Sequence, residues 1–196
     1  MDLRPTAVHL EPAAPSAKVA AMDDIVLAAL RKWPHVPHCH GWLALDARGH
    51  WYMRDERIQA AGAFPKVKGS RIEHEKLREF IHRNYTHDET GAWFFQNGPQ
   101  RVYVELEAAP LVWRVDGEPG WALTAHTGRS AQLLSTWLDE HGRLFAHTDL
   151  GLGIVHTLDM GIAAQAVEAG LWQPQEMPFA AMPARFGYRL RPQDSG

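Results

Sequence analysis

The apolar positions of this chain recur with two different periods, and the switches between them mark out its elements. In "DDIVLAALRKW", Val26, Ala29, Leu30 and Trp33 form one side of a short helix. Asp23 or Asp24 caps its start, Arg31 and Lys32 suit its C-terminal end, and Pro34 stops it. Period two then predicts strands over 42–45 and 50–54, joined at "DARG", where Gly49 supplies the turn. Over 70–85, "SRIEHEKLREFIHRNY", the apolar residues Leu77, Ile81 and Tyr85 recur every four positions, with His74 and His82 beside the stripe. Ser70 and Glu73 read as a capping box, so the predicted helix spans 70–85.

A hairpin follows over 93–95 and 101–106 around "QNGPQ". Val102, Val104 and Leu106 alternate with Arg101, Tyr103 and Glu105. "LVWRVDGEPGWALTAHT" and "LLSTWLDEHGRLFAHT" repeat the arrangement with "DGEPG" and "DEHG" as turns. "GLGIVH", 151–156, lacks the third glycine and the lysine of a phosphate loop and reads as a flexible turn. A helix over 157–170 ends at Gly170. Residues 173–183, rich in proline, are expected to run extended over the surface, with "RFGYRL" returning as an edge strand.

The fold class expected from this order is α+β, with antiparallel sheets, a duplicated β-β-α unit and flanking helices. The duplication is read from "LDARGHWY" (45–52) and "LDEHGRLF" (138–145), which align without a gap and are each followed by a helix. Residues 1–20 form a flexible N-terminal arm. Residues 21–172 form one domain of two similar halves, about 41–110 and 111–172, and 173–196 form a proline-rich tail.

Composition narrows the partners. A net charge of −3 provides no clustered positive face for a nucleic-acid backbone. No apolar run reaches membrane-spanning length, the N-terminal stretch has no secretory h-region, and a single cysteine fits a reducing compartment, so a cytoplasmic location is expected. Eight tryptophans, scattered from Trp33 to Trp172, predict a core built on large rings. Trp172 and the tail prolines point to a partner chain, a homodimer among the options.

Four groups of residues carry candidate chemistry. His35, His38, Cys39 and His40 are zinc- and copper-type ligands, but neighbours in extended chain point oppositely, so Cys39 cannot readily share a site with both His38 and His40. A loop of solvated or packed imidazoles is the preferred reading, with no cofactor and with zinc as the alternative. Cys39 as a nucleophile would need a distant imidazole. Asp46, Asp88 and Asp139 each stand three residues before a glycine, which reads as turn chemistry, with an acid/base pair as the alternative. Arg83, Asn84, Tyr85, Asn97, Arg101, Tyr103 and Glu105 are dense in groups that suit an anion or a small polar ligand, and a solvated sheet face is the plain alternative. Serine hydrolysis has no G-x-S-x-G to support it.

The run from Gly49 to Val115 resembles uncharacterised proteobacterial families catalogued as domains of unknown function. The resemblance lies in Gly49–Tyr52, Ile58, 77–85, 88–91 and 107–110. It implies a fold of repeated α/β motifs and a ligand-sensing or signalling role, and it brings no catalytic residues. The expected function is therefore a non-enzymatic module binding a small molecule or a protein. A small enzyme with its site between the halves is one alternative, and a metal-binding protein using residues 35–40 is another.

Overall fold

Three hairpin turns are built on one chemistry, and in this computed structural model they pin the two sheets of the chain. The structure describes residues 22–117 and 119–192, so the arm expected over 1–20 lies outside them. In each turn an aspartate carboxylate accepts two backbone N–H groups, two and four residues on. Asp46 Oδ1 takes those of Arg48 and His50, both at 2.9 Å. Asp88 Oδ1 takes those of Thr90 and Ala92, at 2.9 and 3.1 Å. Asp139 Oδ1 takes those of His141 and Arg143, at 3.0 and 2.8 Å. Gly49, Gly91 and Gly142 close the turns at φ of +81°, +77° and +72°, a region that costs other residues about 1–2 kcal/mol.

After helix α1 (Asp24–Lys32), the first sheet is formed by β1 (Cys39–Leu45), β2 (Trp51–Met53), β3 (Ser70–Arg71), β4 (Tyr85–His87), β5 (Trp93–Asn97) and β6 (Gln100–Leu106). Helix α2 (Glu56–Ala61) lies between β2 and β3, and helix α3 (Glu75–Arg83) between β3 and β4. The second sheet contains β7 (Leu111–Val115), β8 (Leu123–Ala125), β9 (Ser130–Ala131), β10 (Leu133–Leu138), β11 (Leu144–Thr148) and β12 (Gly151–Val155). Helix α4 (Met160–Glu168), strand β13 (Gln175–Glu176) and helix α5 (Met182–Phe186) complete the described chain.

The first sheet runs β3-β2-β1-β6-β5-β4 and the second β9-β8-β7-β12-β11-β10, with β13 added beyond β10. Each has a parallel pair at its centre, β1 with β6 and β7 with β12, flanked by antiparallel strands, and β13 joins β10 in parallel at the edge of the second. The two halves thus repeat one strand order, as the α+β reading with a duplicated arrangement expects. The corresponding segments are different ones, however. By strand order the partner of 138–145 is "HDETGAWF", 87–94, and "LDARGHWY" is the third turn of the same type.

The crossover differs between the halves. In the first, residues 72–84, including α3, carry the chain from one sheet edge to the other. In the second, Gln132 alone separates β9 from β10, although they stand on opposite sides of four intervening strands. Two Cα steps reach about 7 Å at most, so this sheet curls until those strands meet. Gln132 N–H donates to Asp149 Oδ1 at 2.8 Å, and its carbonyl accepts from Asp149 N–H at 3.2 Å.

One apolar cluster spans both sheets. Trp51, Trp113 and Phe145 are fully buried in it, with Trp93, Trp137 and Trp172 close behind. Three local expectations are corrected. Helix α3 starts at Glu75 under a cap from His74, whose Nδ1 accepts the Leu77 N–H at 3.3 Å. Ser70 pairs with Met53 in β3, so ladder hydrogen bonds displace the expected capping box, and Tyr85 begins a strand rather than ending the helix. "GLGIV" is the central strand β12, because a Cβ on Gly153 would lie 2.8 Å from Leu111 O and collide with the Trp113 indole. The tail does not run extended over the surface. Trp172, Met182 and Tyr188 join the core, and "RFGYRL" holds the end of α5 and a left-handed Gly187. Leu190 O then accepts from Leu106 N–H at 2.8 Å, Tyr188 OH donates to Ala108 O at 3.0 Å, and Arg189 N–H donates to Gly91 O at 3.1 Å.

These packing and turn glycines should separate in a urea titration. Gly153→Ala should lose about 2–3 kcal/mol through overpacking. Gly142→Ala, with open space around it, should lose about 1–2 kcal/mol from its left-handed backbone. Equal losses would mean that Gly153 is not held by the Trp113 contact.

Candidate functional site

The residues singled out in the sequence fall in several places. His35 and His38 are exposed at the approach to β1. His40 stacks on Tyr103 at 4.5 Å between ring centres and His38 meets the same ring edge-on at 5.9 Å. Cys39 lines an apolar pocket of about 310 Å³ between α3 and the first sheet, and burial pushes its thiol pKa up. Among the described residues no three His, Cys, Asp or Glu side chains form a group that could hold a metal ion.

The proposed anion-binding residues are mostly committed to structure. Arg83 Nε pairs with Asp23 at 3.2 Å, and Asn84 is buried between Asp23 and the Phe80 carbonyl. Tyr85 OH donates to Pro110 O at 3.0 Å inside the core. Arg101 lies over Phe94 at 4.5 Å, and Tyr103 OH donates to Asp88 Oδ2 at 3.0 Å. Glu105 stands 3.6 Å from Arg54, and Asn97 sits in the β5–β6 hairpin. The fold brings Arg101 and Tyr103 together around Phe94 and distributes the rest.

A different constellation converges where the halves meet. A cleft of about 470 Å³ is bounded by the Asp46 turn, by α3, by β7 and β8, and by His156 just after β12. Residues 75, 78, 79 and 82 share one face of α3, so Arg78 and His82 look into the cleft while Leu77 and Ile81 face the apolar side. Arg48 and His50 come from the turn, and His126 follows β8.

Hydrogen bonding fixes the imidazole tautomers. His126 Nδ1 accepts the Val112 N–H at 3.2 Å, which puts its proton on Nε2, a fully buried atom without a hydrogen-bond partner. His82 Nε2 accepts from Trp51 Nε1–H at 2.9 Å, which puts its proton on Nδ1. His156 Nδ1 accepts the Leu158 N–H at 3.1 Å. The His82 and His126 rings meet edge to face at 5.7 Å, with Trp51 and Tyr85 packed against His126 at 5.6 and 5.9 Å. Burial, aided by Arg78, lowers the His82 pKa to about 4. Burial, aided by His82, lowers that of His126 to about 3. Burial and Arg114 also lower that of His156. All three are neutral at pH 7.

The cations differ in how far they are committed. Asp159 clamps Arg114 at 2.6 and 3.0 Å and also accepts the Val115 N–H. Arg48 and Arg78 have no carboxylate within ion-pair distance among the described residues, although Glu75 and Glu79 share the rim. The cleft therefore offers guanidinium donors and neutral imidazoles whose acceptor nitrogens are largely used. Its chemistry suits an oxyanion. The sequence signals for it were the polar stripe on α3 and the position of His50 after Gly49, and the pairing of these with His126 across two sheets had no local signature.

Neutral buried histidines make stability depend on pH. The unfolded chain protonates these side chains near pH 6.5, the native chain only near 4 and 3, so their contribution is full above pH 6.5 and falls as the pH drops below it. Each adds up to about 1.4 kcal/mol per pH unit to the slope. Urea unfolding between about pH 6.5 and 4.5 should show a shallower loss in His82→Gln than in the unsubstituted chain. Parallel slopes would show that His82 does not resist protonation.

No helix among the described residues is long and apolar enough to cross a membrane. No curated protein matches the chain. A crystal structure of a DUF1285 family protein from Silicibacter pomeroyi DSS-3 is similar at a TM-score of 0.46 and 13% identity, over 74% of this chain and 77% of that one. The family model described as "Protein of unknown function (DUF2946)" matches residues 22–193, and the chain belongs to that family.

Proposed function

We propose that the protein is a ligand-binding module that takes a small oxyanionic molecule in the cleft between its halves. The observation that carries this reading is the pair Arg48 and Arg78, which line a cleft floored by neutral imidazoles and have no carboxylate partner among the described residues. Guanidinium groups recognise carboxylate and phosphate oxygens through several N–H donors at once. A site at the junction of two packed units is also where small-molecule clefts commonly form.

In this reading residues 21–172 act as one unit of two halves, about 41–110 and 111–172. The ligand touches both of them and α3. Occupancy would then be felt by each sheet, which supports a sensing role rather than simple storage. The site replaces the face of β6 as the place to look, because Arg101, Tyr103 and Glu105 have partners of their own.

Calorimetric titration with inorganic sulfate, phosphate and citrate tests the reading. At least one should bind, and Arg78→Ala should weaken that binding about 10- to 100-fold, the worth of a charge-assisted contact. If none of the three binds, or if Arg78→Ala binds them equally, the cleft is a solvated seam.

A further inference from the structure

The three Asp-x-x-Gly turns supply an internal comparison. In each, Oδ1 alone satisfies the turn, and the second carboxylate oxygen is left to the surroundings. Asp88 Oδ2 accepts from Tyr103 OH, and Asp139 Oδ2 accepts from Arg143 Nε at 2.7 Å. Asp46 Oδ2 meets three groups instead: Tyr52 OH at 3.1 Å, Lys68 Nζ at 3.2 Å and His50 Nδ1 at 3.3 Å. The residue after the glycine is Ala92 in one turn, Arg143 in another and His50 in the third. The turn therefore does not itself require a histidine.

His50 Nδ1 is turned to Asp46, no described residue engages its Nε2, and the ring lines the cleft. We propose that the cleft takes a tetrahedral dianion of the sulfate or phosphate type, and that His50 holds it as an imidazolium, taking up one proton as the ligand enters. The inference rests on the oxyanion reading above and adds the ligand's charge and the proton.

The surrounding charges set this up. On the first half, His50 Nδ1 lies 3.3 Å from Asp46 Oδ2, Lys68 Nζ lies 3.2 Å from the same oxygen and from Glu107, and Arg48 lines the cleft beside them. From the second half, Arg114 with its partner Asp159, together with His156, faces the same cleft, and His126 packs against Gly49. Arg78, Glu75 and Glu79 face it from α3. A bound dianion places negative charge beside the His50 ring, and that charge favours a proton there. His82, His126 and His156 are poor recipients, because burial disfavours their charged forms.

Sulfate is the probe, since it carries no titrating proton near neutrality. Titrating it into the full chain at about pH 7.5, in two buffers of different ionisation enthalpy, reads the protons taken up per ligand. Uptake approaching one is expected, falling to near zero in His50→Gln with affinity weakened about tenfold. Ala92 at the matching place in another turn shows that the scaffold accepts a different side chain there. Sulfate binding without proton uptake, or with uptake unchanged in His50→Gln, overturns this inference and leaves the oxyanion site standing. Citrate binding without sulfate binding also overturns the inference alone. Absence of binding by every oxyanion overturns both.

Discussion

Each sheet of this protein is organised around a central parallel pair, and that pair dictates the rest. Two parallel neighbours cannot be joined by a tight hairpin, so the chain must leave one sheet edge and return at the other. The first half makes the journey with α3, whose apolar residues pack on the strands while its polar stripe faces outward. The second half makes it with a single residue and bends its sheet until the edges touch. Packed on its own sheet by its apolar face, α3 turns its polar face to the second sheet, and the space between them becomes the cleft. Equal crossovers in the two halves would have left no such asymmetry.

The cleft also shows how a core and a site share residues. Trp51 and Tyr85 belong to the apolar cluster, yet they pack against the imidazoles that line the opening. A carboxylate is held ionised in the same wall: burial raises the Asp46 pKa, but the N–H donors of His50 and Arg48, with Lys68, hold it below its usual range. Neutral rings on one side and a fixed negative charge on the other give a polar surface that does not have to rearrange around a ligand.

Much of the fold was legible because its signals are local. The hairpins announced themselves by alternation and by Asp-x-x-Gly, and the apolar stripe of α3 by its period. The same turn chemistry was also misleading. Three turns require the same aspartate and glycine, so the likeness of 45–52 to 138–145 reports hydrogen bonding rather than position in the sheet. "GLGIV" looked like a loop because glycine signals both turns and close packing, and only the distant Trp113 decides between them. The tail could not be read because its burial depends on residues from both sheets. The cleft was hidden for that reason too: His50, His82 and His126 lie on three separate elements.

The segment 188–191 has a consequence for how the chain is made. It reaches back to Leu106 at the end of β6, to Ala108 and to Gly91 in the β4–β5 turn, long after the strands of the first sheet have been synthesised. A nascent chain can pair β1 to β6 early, but the carbonyl and amide groups at 91, 106 and 108 wait for partners that emerge about 80 to 100 residues later. Until the tail has been made, the end of β6 and the β4–β5 turn therefore keep backbone groups that only the last described residues satisfy.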